Sequence, residues 1–336
     1  MTSILFVRLS AMGDLVHGLG AVQALHRVRP DWRLTVVTQT TFAPLLAGVP
    51  GVARVVTLAR RGGLRAVADL RAALREDDYD VALDLQGNWK SASVARLSGA
   101  AQRWGAGARW RQEPRSRILL TRTIDVPGER HPALVAWALV RELAPDAPFL
   151  APVLRATAAE LAAETAALRA LGIDAARPFR LIVVTDPRDP RALRPGVVAE
   201  EAAASADPVV HLLGPAEARL EVPAGGRVLR HGTGALRRLV ALGEIVARGG
   251  GVVVGPDQGA CHVLAAAGAR CLVSFGAQDP VQTAPPGATA LIHRAPPRCS
   301  PCRSRTCTCA EGPICMDFTS ADGRHVTTGL PAYERA

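Results

Sequence analysis

Short apolar runs alternate with longer segments of helical periodicity along the first half of the chain. The apolar runs cover residues 4–9, 34–38, 54–58 and 81–85. Strands that are buried on both faces have this near-continuous apolar character, and helices between successive strands are typical of parallel sheets. The pattern therefore predicts a parallel sheet that is covered by helices on both faces.

The same alternation returns in the second half. An Ala-, Glu- and Leu-rich helical segment, residues 157–171, is followed by Gly172, Pro178 and a new apolar run at residues 181–185, and we place a domain boundary in this region. Further strands are predicted at residues 209–213, 252–254 and 271–275, and helices at residues 236–247 and 262–267. These elements predict a second doubly wound unit.

The length of the chain supports two domains. Its 336 residues, 49% of them hydrophobic, are too many for one comfortable core. We predict an N-terminal domain at residues 1–155, a C-terminal domain at 156–298 and an irregular cysteine-rich tail at 299–336. The predicted fold class is α/β of the GT-B type, with two Rossmann-like doubly wound domains facing each other across a cleft.

The charge of the chain is unevenly distributed. The formal net charge is +10, and residues 1–155 carry 21 Lys and Arg against 13 Asp and Glu, a net charge of +8. Such a field would attract a phosphorylated or carboxylated substrate, or an anionic membrane face. Biased coding is the alternative, because Lys90 is the single lysine among 40 basic residues.

Neither a transmembrane helix nor a signal peptide is expected. The chain has no run of eighteen uncharged apolar residues, and Arg8 interrupts the apolar run near the N-terminus. We therefore expect a cytoplasmic protein.

The loop after the first strand contains the first candidate for chemistry. Asp14 follows a turn at Gly13 and would lie at the carboxyl edge of the sheet, where a general base can act. Asp is also a preferred helix N-cap, so a purely structural role is the alternative. A dinucleotide-binding oxidoreductase is disfavoured, because the loop lacks the pattern GxGxxG and the second strand ends in Thr38-Gln39 without an acidic residue.

A second candidate loop covers residues 255–262. It contains Gly255, Asp257, Gly259 and His262 between a predicted strand and a predicted helix. Backbone amides at such a helix start can bind a pyrophosphate, and a glycine permits close approach. An ordinary turn that uses Asp257 as a cap is the alternative.

These two loops carry a family resemblance. Residues 6–17, Phe-Val-Arg-Leu-Ser-Ala-Met-Gly-Asp-Leu-Val-His, are similar to the opening of the heptosyltransferases that build the lipopolysaccharide inner core. A second set resembles the donor-phosphate signature of that family: Asp257, Gly259, His262, Ala265, Ala266, Phe275-Gly276 and Asp279-Pro280. The resemblance implies an inverting, metal-independent transfer of heptose from ADP-heptose to a Kdo-lipid A acceptor.

The resemblance also implies roles for individual residues. Asp14 would be the catalytic base, His262 would donate a hydrogen bond to the leaving diphosphate, and Arg191 would stand where the family usually has lysine. The implied donor-binding residues are Asp257, Gln258, Gly259, His262, Glu217 and Arg194. The implied acceptor-binding residues are Arg60, Arg61, Arg65, Gln86 and Lys90, the last two within an Asp-x-Gln-Gly-x-x-Lys-Ser element at residues 84–91. Gln258 replaces a common threonine, and the segment around Arg191 departs from the family pattern, so the identity of the donor stays open.

The tail contains most of the cysteines, namely Cys299, Cys302, Cys307, Cys309 and Cys315. Clustered thiolates bind zinc or an iron–sulfur cluster, whereas disulfides are disfavoured in a reducing compartment. A structural metal and reduced packed thiols both remain open. No cofactor is expected for the reaction itself.

Two other functions remain in consideration. One is a related glycosyltransferase with another nucleotide sugar or acceptor, and the other is a catalytically silent member that acts as a binding or metal-binding protein. The expected partners of an active enzyme are a nucleotide-sugar donor, an anionic glycolipid acceptor and the inner face of the inner membrane, contacted peripherally. No nucleic acid partner is expected.

Overall fold

The computed structural model describes residues 1–126, 128 and 130–335. They form two compact units: Met1–Val153 together with the segment from Leu330 onward, and Leu154–Gly329. The change of unit at Val153 lies next to the predicted boundary between residues 155 and 156. The cysteine-rich tail is divided, because residues 299–329 belong to the second unit and the last residues return to the first.

The first unit is built on a parallel sheet. Its elements in chain order are β1 Ser3–Val7, α1 Met12–Val28, β2 Arg33–Gln39, β3 Val52–Leu58, α2 Gly63–Leu74, β4 Val81–Asp84, α3 Trp89–Leu97, β5 Gln102–Ala106, β6 Arg122–Ile124, α4 Pro132–Leu143 and β7 Leu150–Ala151. Short 3₁₀ segments lie at Thr40–Leu46, Ala108–Trp110 and Pro114–Leu119. Among the described residues the strand order is β3-β2-β1-β4-β5-β6, with every pairing parallel.

Helices cover both faces of this sheet. Leu70 and Leu74 of α2 and Val94 of α3 share one core with Leu5 and Val37 of the strands, so α2 and α3 lie on the same face. Helices α1 and α4 pack against each other and take the other face, as the doubly wound topology requires. The predicted arrangement of a parallel sheet between two helical layers is confirmed.

The second unit repeats the architecture. Its elements are α5 Ala158–Ala170, β8 Arg180–Val184, α6 Pro195–Ala203, β9 Val209–Leu213, β10 Arg227–Arg230, α7 Leu236–Arg248, β11 Val252–Pro256, α8 Gly259–Ala266, β12 Arg270–Phe275, α9 Pro280–Thr283, β13 Thr289–Ile292 and β14 Arg324–Val326. The strand order within the described range is β10-β9-β8-β11-β12-β13-β14, and β14 alone is antiparallel to its neighbour. A last strand, β15 Glu334–Arg335, pairs with β7 of the first unit.

Helix α5 shows how the sequence fixes an element boundary. The Thr157 hydroxyl accepts the Glu160 N–H at 3.2 Å, and the Glu160 carboxylate accepts the Thr157 N–H at 2.8 Å. This reciprocal pair satisfies backbone donors that a helix start leaves open. The helix therefore begins where its sequence predicts.

The strand order locates the places where ligands bind in doubly wound sheets. In each sheet the order reverses between two central strands, β1 and β4 in the first unit and β8 and β11 in the second. Loops that leave the carboxyl ends of such strands diverge and open a crevice.

In the described part of the chain, no helix is long and apolar enough to cross a membrane.

Candidate active site

Asp14 lies at the reversal point of the first sheet. It is in the first turn of α1, and its Oδ2 accepts the Ala11 N–H at 3.3 Å and forms an ion pair with Arg8. Among the described residues both of these contacts use Oδ2, and the side chain is 26% exposed. The second carboxylate oxygen, Oδ1, is therefore available to a substrate.

Arg8 holds this carboxylate from inside the unit. Its side chain is 6% exposed, and its Nη1 donates to the Leu85 carbonyl at 2.5 Å. The guanidinium thus joins the loop after β1 to the end of β4. An aspartate that only caps a helix needs no buried arginine as a partner, so the ion pair with Arg8 distinguishes Asp14 from an ordinary capping residue.

Gln86 ties the same two loops together. Its Oε1 accepts the N–H groups of Leu9 at 2.8 Å and Ser10 at 3.2 Å. The predicted apolar strand at residues 4–9 ends earlier, at Val7, because the Leu9 N–H bonds to this side chain and leaves the ladder. Gln86 is buried, so the structure places it as a support of the Asp14 loop, and its predicted contact with an acceptor stays a prediction.

A fully buried ion pair stabilises the loop that follows β4 and carries Gln86. Asp84 Oδ2 accepts from Arg111 Nη2 at 2.6 Å, and both side chains are 0% exposed. Asp84 Oδ1 accepts the N–H groups of Gln86 and Gly87 at 3.1 and 3.0 Å. Gly87 has a φ of 80°, a left-handed conformation that favours glycine. Together these contacts fix the turn that carries Gln86.

We expect Arg111→Met to destabilise the protein by about 3–5 kcal/mol, because it leaves the Asp84 carboxylate buried and uncompensated. Denaturant unfolding of the full chain measures this change. Arg115→Met is the matched control, since Arg115 is exposed, and surface substitutions usually change stability by less than about 0.5 kcal/mol. Equal stability of the two variants would contradict the structural role of the buried pair.

The other predicted acceptor residues are exposed around the carboxyl edge of the first sheet. Arg60 and Arg61 lie in the turn between β3 and α2, Arg65 is in the first turn of α2, and Lys90 is in the first turn of α3. Within the described residues none of these four side chains forms an ion pair. Their charge is therefore available to an anionic ligand.

The second unit has its own cluster at its reversal point. Asp257 follows β11, and its Oδ1 lies 3.0 Å from His262 Nε2, while its Oδ2 accepts from the Thr283 hydroxyl at 3.0 Å. Asp257 and His262 are both buried. The carboxylate is thus turned toward a side chain on α8 and a hydroxyl on α9, and Nε2 of His262 is engaged by Asp257.

Helix α8 begins directly beside this pair. Gly259 is its first residue, and Gln258 precedes it in an extended conformation. The N–H groups of a first helical turn have no partner inside the helix, and they favour an anion. A Cβ at Gly255 would approach Cys261 Sγ to 2.7 Å, so only glycine lets β11 pack this closely under the helix start.

Arg191 is linked to the start of α8 through Asp189 and Gln258. Its Nε and Nη2 donate to the two oxygens of Asp189 at 3.0 and 2.6 Å, and Gln258 Nε2 donates to Asp189 at 3.1 Å. Burial raises the pKa of Asp189, but the hydrogen bonds from Arg191 outweigh it and hold that pKa below its ordinary value. The hydrogen bond to Asp189 in turn raises the pKa of Arg191. The pair therefore stays ionised and joins the loop after β8 to the start of α8.

Two predicted donor residues lie apart from this cluster. Arg194 Nη1 pairs with Asp317 of the tail at 3.3 Å. Glu217 ends a 3₁₀ segment after β9 and makes no ion pair among the described residues. Glu217 is at the same sheet edge as Arg191, since β9 and β8 are parallel neighbours.

The tail cysteines share one pocket, the thiol pocket, lined by Cys299, Cys302, Cys307, Cys309 and Cys315 together with Pro190 and Ala277. The Sγ atoms of Cys299 and Cys309 are 3.9 Å apart, and hydrogen bonds with neighbouring thiols raise the pKa of Cys309 to about 11. Across the described residues, no three His, Cys, Asp or Glu side chains are arranged as a metal site. Pro190 places the thiol pocket next to the Arg191 loop, although the tail is distant in sequence.

Comparison with known families decides the classification. A model of glycosyltransferase family 9 (heptosyltransferase) matches residues 67–186 and 238–311, more than half of the chain. The chain belongs to glycosyltransferase family 9. The matched ranges include the buried pair Asp84–Arg111 and the cluster at Asp257–His262, whereas Asp14 lies outside them.

Curated lipopolysaccharide heptosyltransferases are similar over part of the chain. Lipopolysaccharide heptosyltransferase 1 of Pseudomonas aeruginosa is 31% identical over 137 residues, which cover 38% of this chain and 39% of that protein. Its Escherichia coli K12 counterpart is 27% identical over 141 residues, 38% of this chain and 43% of that protein. The chain thus aligns with about two fifths of the length of these relatives.

Solved glycosyltransferase structures share the fold over most of the chain. A glycosyltransferase from Veillonella parvula superposes with a TM-score of 0.74 at 15% identity, covering 86% of this chain and 85% of that one. The E. coli heptosyltransferase WaaC with ADP superposes with a TM-score of 0.63 at 22% identity, covering 84% and 89%. At these identities the likeness shows the fold, and the predicted α/β architecture of two parallel-sheet domains is confirmed.

Several members of the site were not predicted from the sequence. Arg8, Arg111, Asp189 and Thr283 each hold a predicted residue in place through its side chain. Arg111 and Thr283 lie 27 and 26 residues from their partners, so no local pattern indicates them, and only the fold shows that Arg8 is buried against Asp14. Asp189 could have been identified from the sequence, since the side chain of an aspartate two residues before an arginine in a Pro-rich turn can pair with that arginine.

Proposed function

We propose that the protein transfers heptose from ADP-heptose to a lipopolysaccharide core acceptor of the Kdo-lipid A type, with inversion at the anomeric carbon. The observation that carries the proposal is the Asp14 carboxylate, with Oδ2 held by Arg8 and Ala11 and Oδ1 open at the reversal point of the first sheet. The family membership supports the reaction class. The names of the two curated relatives support heptose as the transferred sugar and lipopolysaccharide as the acceptor.

In this proposal Asp14 is the general base. The acceptor hydroxyl oxygen attacks the anomeric carbon of the donor while the bond from that carbon to the phosphate oxygen breaks. The hydroxyl proton passes to Asp14 Oδ1, and the electron pair of the broken bond leaves with the nucleoside diphosphate. A single displacement of this kind inverts the anomeric configuration without a covalent intermediate.

The second unit is proposed to bind the donor. The amides at the start of α8, with Gly259 allowing close approach, favour the diphosphate. Arg191 keeps its charge beside Asp189 and would add a cation to the same ligand, with Gln258 fixing the pair. His262, held by Asp257, would stabilise the charge that grows on the leaving group. Glu217, which makes no ion pair among the described residues, suits a ribose hydroxyl, and Arg194 would join the donor site only by leaving Asp317.

Acceptor binding is proposed for the first unit. Arg60, Arg61, Arg65 and Lys90 form no ion pair within the described residues, and they present positive charge at the carboxyl edge of the first sheet, which suits the carboxylate and phosphates of a Kdo-lipid A acceptor. In this scheme the anionic glycolipid is held by exposed cations. Peripheral contact with the inner membrane at its cytoplasmic face is part of the same proposal.

The test is transfer by the purified full chain. ADP-heptose with Kdo-lipid A should give a heptosylated product whose new linkage has the inverted configuration by NMR. A panel of other nucleotide sugars tests the second candidate, a related transferase with another donor. This candidate is motivated by Gln258, which stands where the family commonly has threonine and which donates to Asp189. Donor binding by calorimetry without transfer to any acceptor would overturn the proposal in favour of a silent binding protein.

The reaction is proposed to need no cofactor, and the thiol pocket is proposed to be a structural support. We expect the double variant Cys299→Ser/Cys302→Ser to retain transfer within about three-fold, since the residues that line the thiol pocket do not include Asp257, His262 or Arg191. Elemental analysis of the wild-type protein tests whether zinc or iron is bound there. Bound metal combined with lost transfer in a variant that still folds would contradict the proposal.

A further inference from the structure

The first unit has an unusual distribution of exposed apolar side chains. Six large apolar side chains are exposed among the described residues, and four of them lie in segments that follow β3, β4 or β5: Leu64, Val67, Trp89 and Ile118. Leu64 is 90% exposed and Ile118 is 72% exposed. The second unit contributes no such side chain within its described residues. Single exposed apolar residues are normal, but a cluster marks an interaction surface.

The topology places the three segments that carry these side chains at one edge of the sheet. Strands β3, β4 and β5 are parallel members of one sheet, so the segments after them start at the same edge. Helices α2 and α3 share one face of that sheet, and the 3₁₀ segment Pro114–Leu119 packs against α3. From β3 to β5 there are four strand spacings of about 4.8 Å, which gives a width of roughly 19 Å. We call the surface formed by residues 60–67, 89–90 and 115–118 the rim.

The rim is also basic. Its exposed cationic side chains are Arg60, Arg61, Arg65, Lys90, Arg115 and Arg117, and within the described residues none of them forms an ion pair. The nearby exposed acids are Asp69 and Glu113, and Glu113 already accepts the Trp89 N–H at 2.6 Å. Each apolar side chain thus has cationic neighbours in the chain. The rim combines exposed apolar groups with an excess of positive charge.

This combination identifies the kind of partner. A soluble phosphate would be bound by the arginines alone and would leave Leu64 and Ile118 in water. The surface of an anionic bilayer binds both the apolar and the cationic side chains, because apolar side chains insert among the acyl chains while phosphate headgroups pair with Lys and Arg. We propose that the rim docks the protein onto an anionic phospholipid bilayer. The inference deepens the proposed function, on which it rests for the lipid-linked acceptor, and it names the membrane-contacting surface.

Vesicle flotation tests the proposal with the full chain. The protein should float with phosphatidylcholine vesicles that contain phosphatidylglycerol and much less with phosphatidylcholine alone, and added salt should weaken binding, since charges are screened over roughly 10 Å at 0.1 M ionic strength. The double variant Leu64→Ser/Ile118→Ser should bind at least about ten-fold more weakly, because it removes the groups that enter the acyl region. Tyr333→Ser is the matched control, an exposed aromatic beside β15, outside the rim.

The outcomes separate docking from catalysis. Hydrolysis of the donor and transfer to a water-soluble acceptor fragment should be unchanged in the double variant, and its thermal unfolding should match the wild type. Equal vesicle binding by wild type and double variant, or absence of binding to phosphatidylglycerol, would overturn the docking surface while leaving the proposed function intact. Vesicle binding without transfer of any sugar would overturn the proposed function alone. A dimer that dissociates in the double variant, without vesicle binding, would assign the rim to a second copy of the chain.

Discussion

Asp14→Asn is expected to lower transfer on the order of 10²- to 10⁴-fold, which is the typical loss when a general base is removed. Asparagine keeps the shape of the side chain and can still accept from Ala11 and Arg8, so the fold and donor binding should persist. The amide lacks the basicity that is needed to take the acceptor proton. Initial rates at saturating donor, together with nucleotide binding by calorimetry, measure the two effects separately.

The control for this variant is Asp31→Asn, which neutralises an exposed aspartate just after α1. It should transfer at the wild-type rate. If Asp14→Asn also turned over at nearly the wild-type rate, the carboxylate would be a helix-start residue with a buried arginine partner, and the base would have to be sought elsewhere.

His262→Ala is expected to slow transfer by roughly 10²- to 10³-fold, the range seen when one preorganised donor to a developing charge is lost. The substitution also removes the group that holds Asp257 Oδ1, and so leaves a buried carboxylate with one fewer partner beside the proposed diphosphate site. Affinity for the nucleoside diphosphate should therefore fall together with the rate. Calorimetry with the nucleoside diphosphate and steady-state kinetics follow both quantities.

The comparison for His262→Ala is the double variant Arg60→Ala/Arg61→Ala in the first unit. That variant should keep nucleotide affinity and raise the apparent KM for the acceptor, most visibly at low salt, because exposed charges are screened over roughly 10 Å at 0.1 M. Loss of nucleotide affinity in the arginine variant, with full affinity in His262→Ala, would reverse the assignment of substrates to units.

The sequence predicted the fold because the signals for it are local. A buried parallel strand is a short apolar run, and a helix start such as Thr157–Glu160 contains its own capping partners. The alternation of such elements is sufficient for a doubly wound sheet. The candidate loops at Asp14 and at Asp257 were predictable for the same reason, since each follows a strand that its own residues define.

The supports of the site were not predictable, because they depend on contacts between distant segments. Arg8 and Asp14 are close in sequence, yet only the fold shows that Arg8 is buried and reaches Leu85. Asp84 and Arg111 meet across β4 and the segment after β5. The thiol pocket adjoins Pro190 for a similar reason, since strand order, which periodicity does not specify, decides which loops become neighbours.

The edges of the second sheet affect how the protein behaves at high concentration. An open sheet edge is a template for pairing with another chain. The second sheet ends on one side in β14, three residues long with Arg324 and His325 exposed, and on the other side in β10, where Arg227 and Arg230 are exposed. Short, positively charged edge strands repel an identical strand from a second molecule. The antiparallel β14 also covers the apolar strand β13, so the tail shields the sheet from edge-to-edge aggregation at high local concentration.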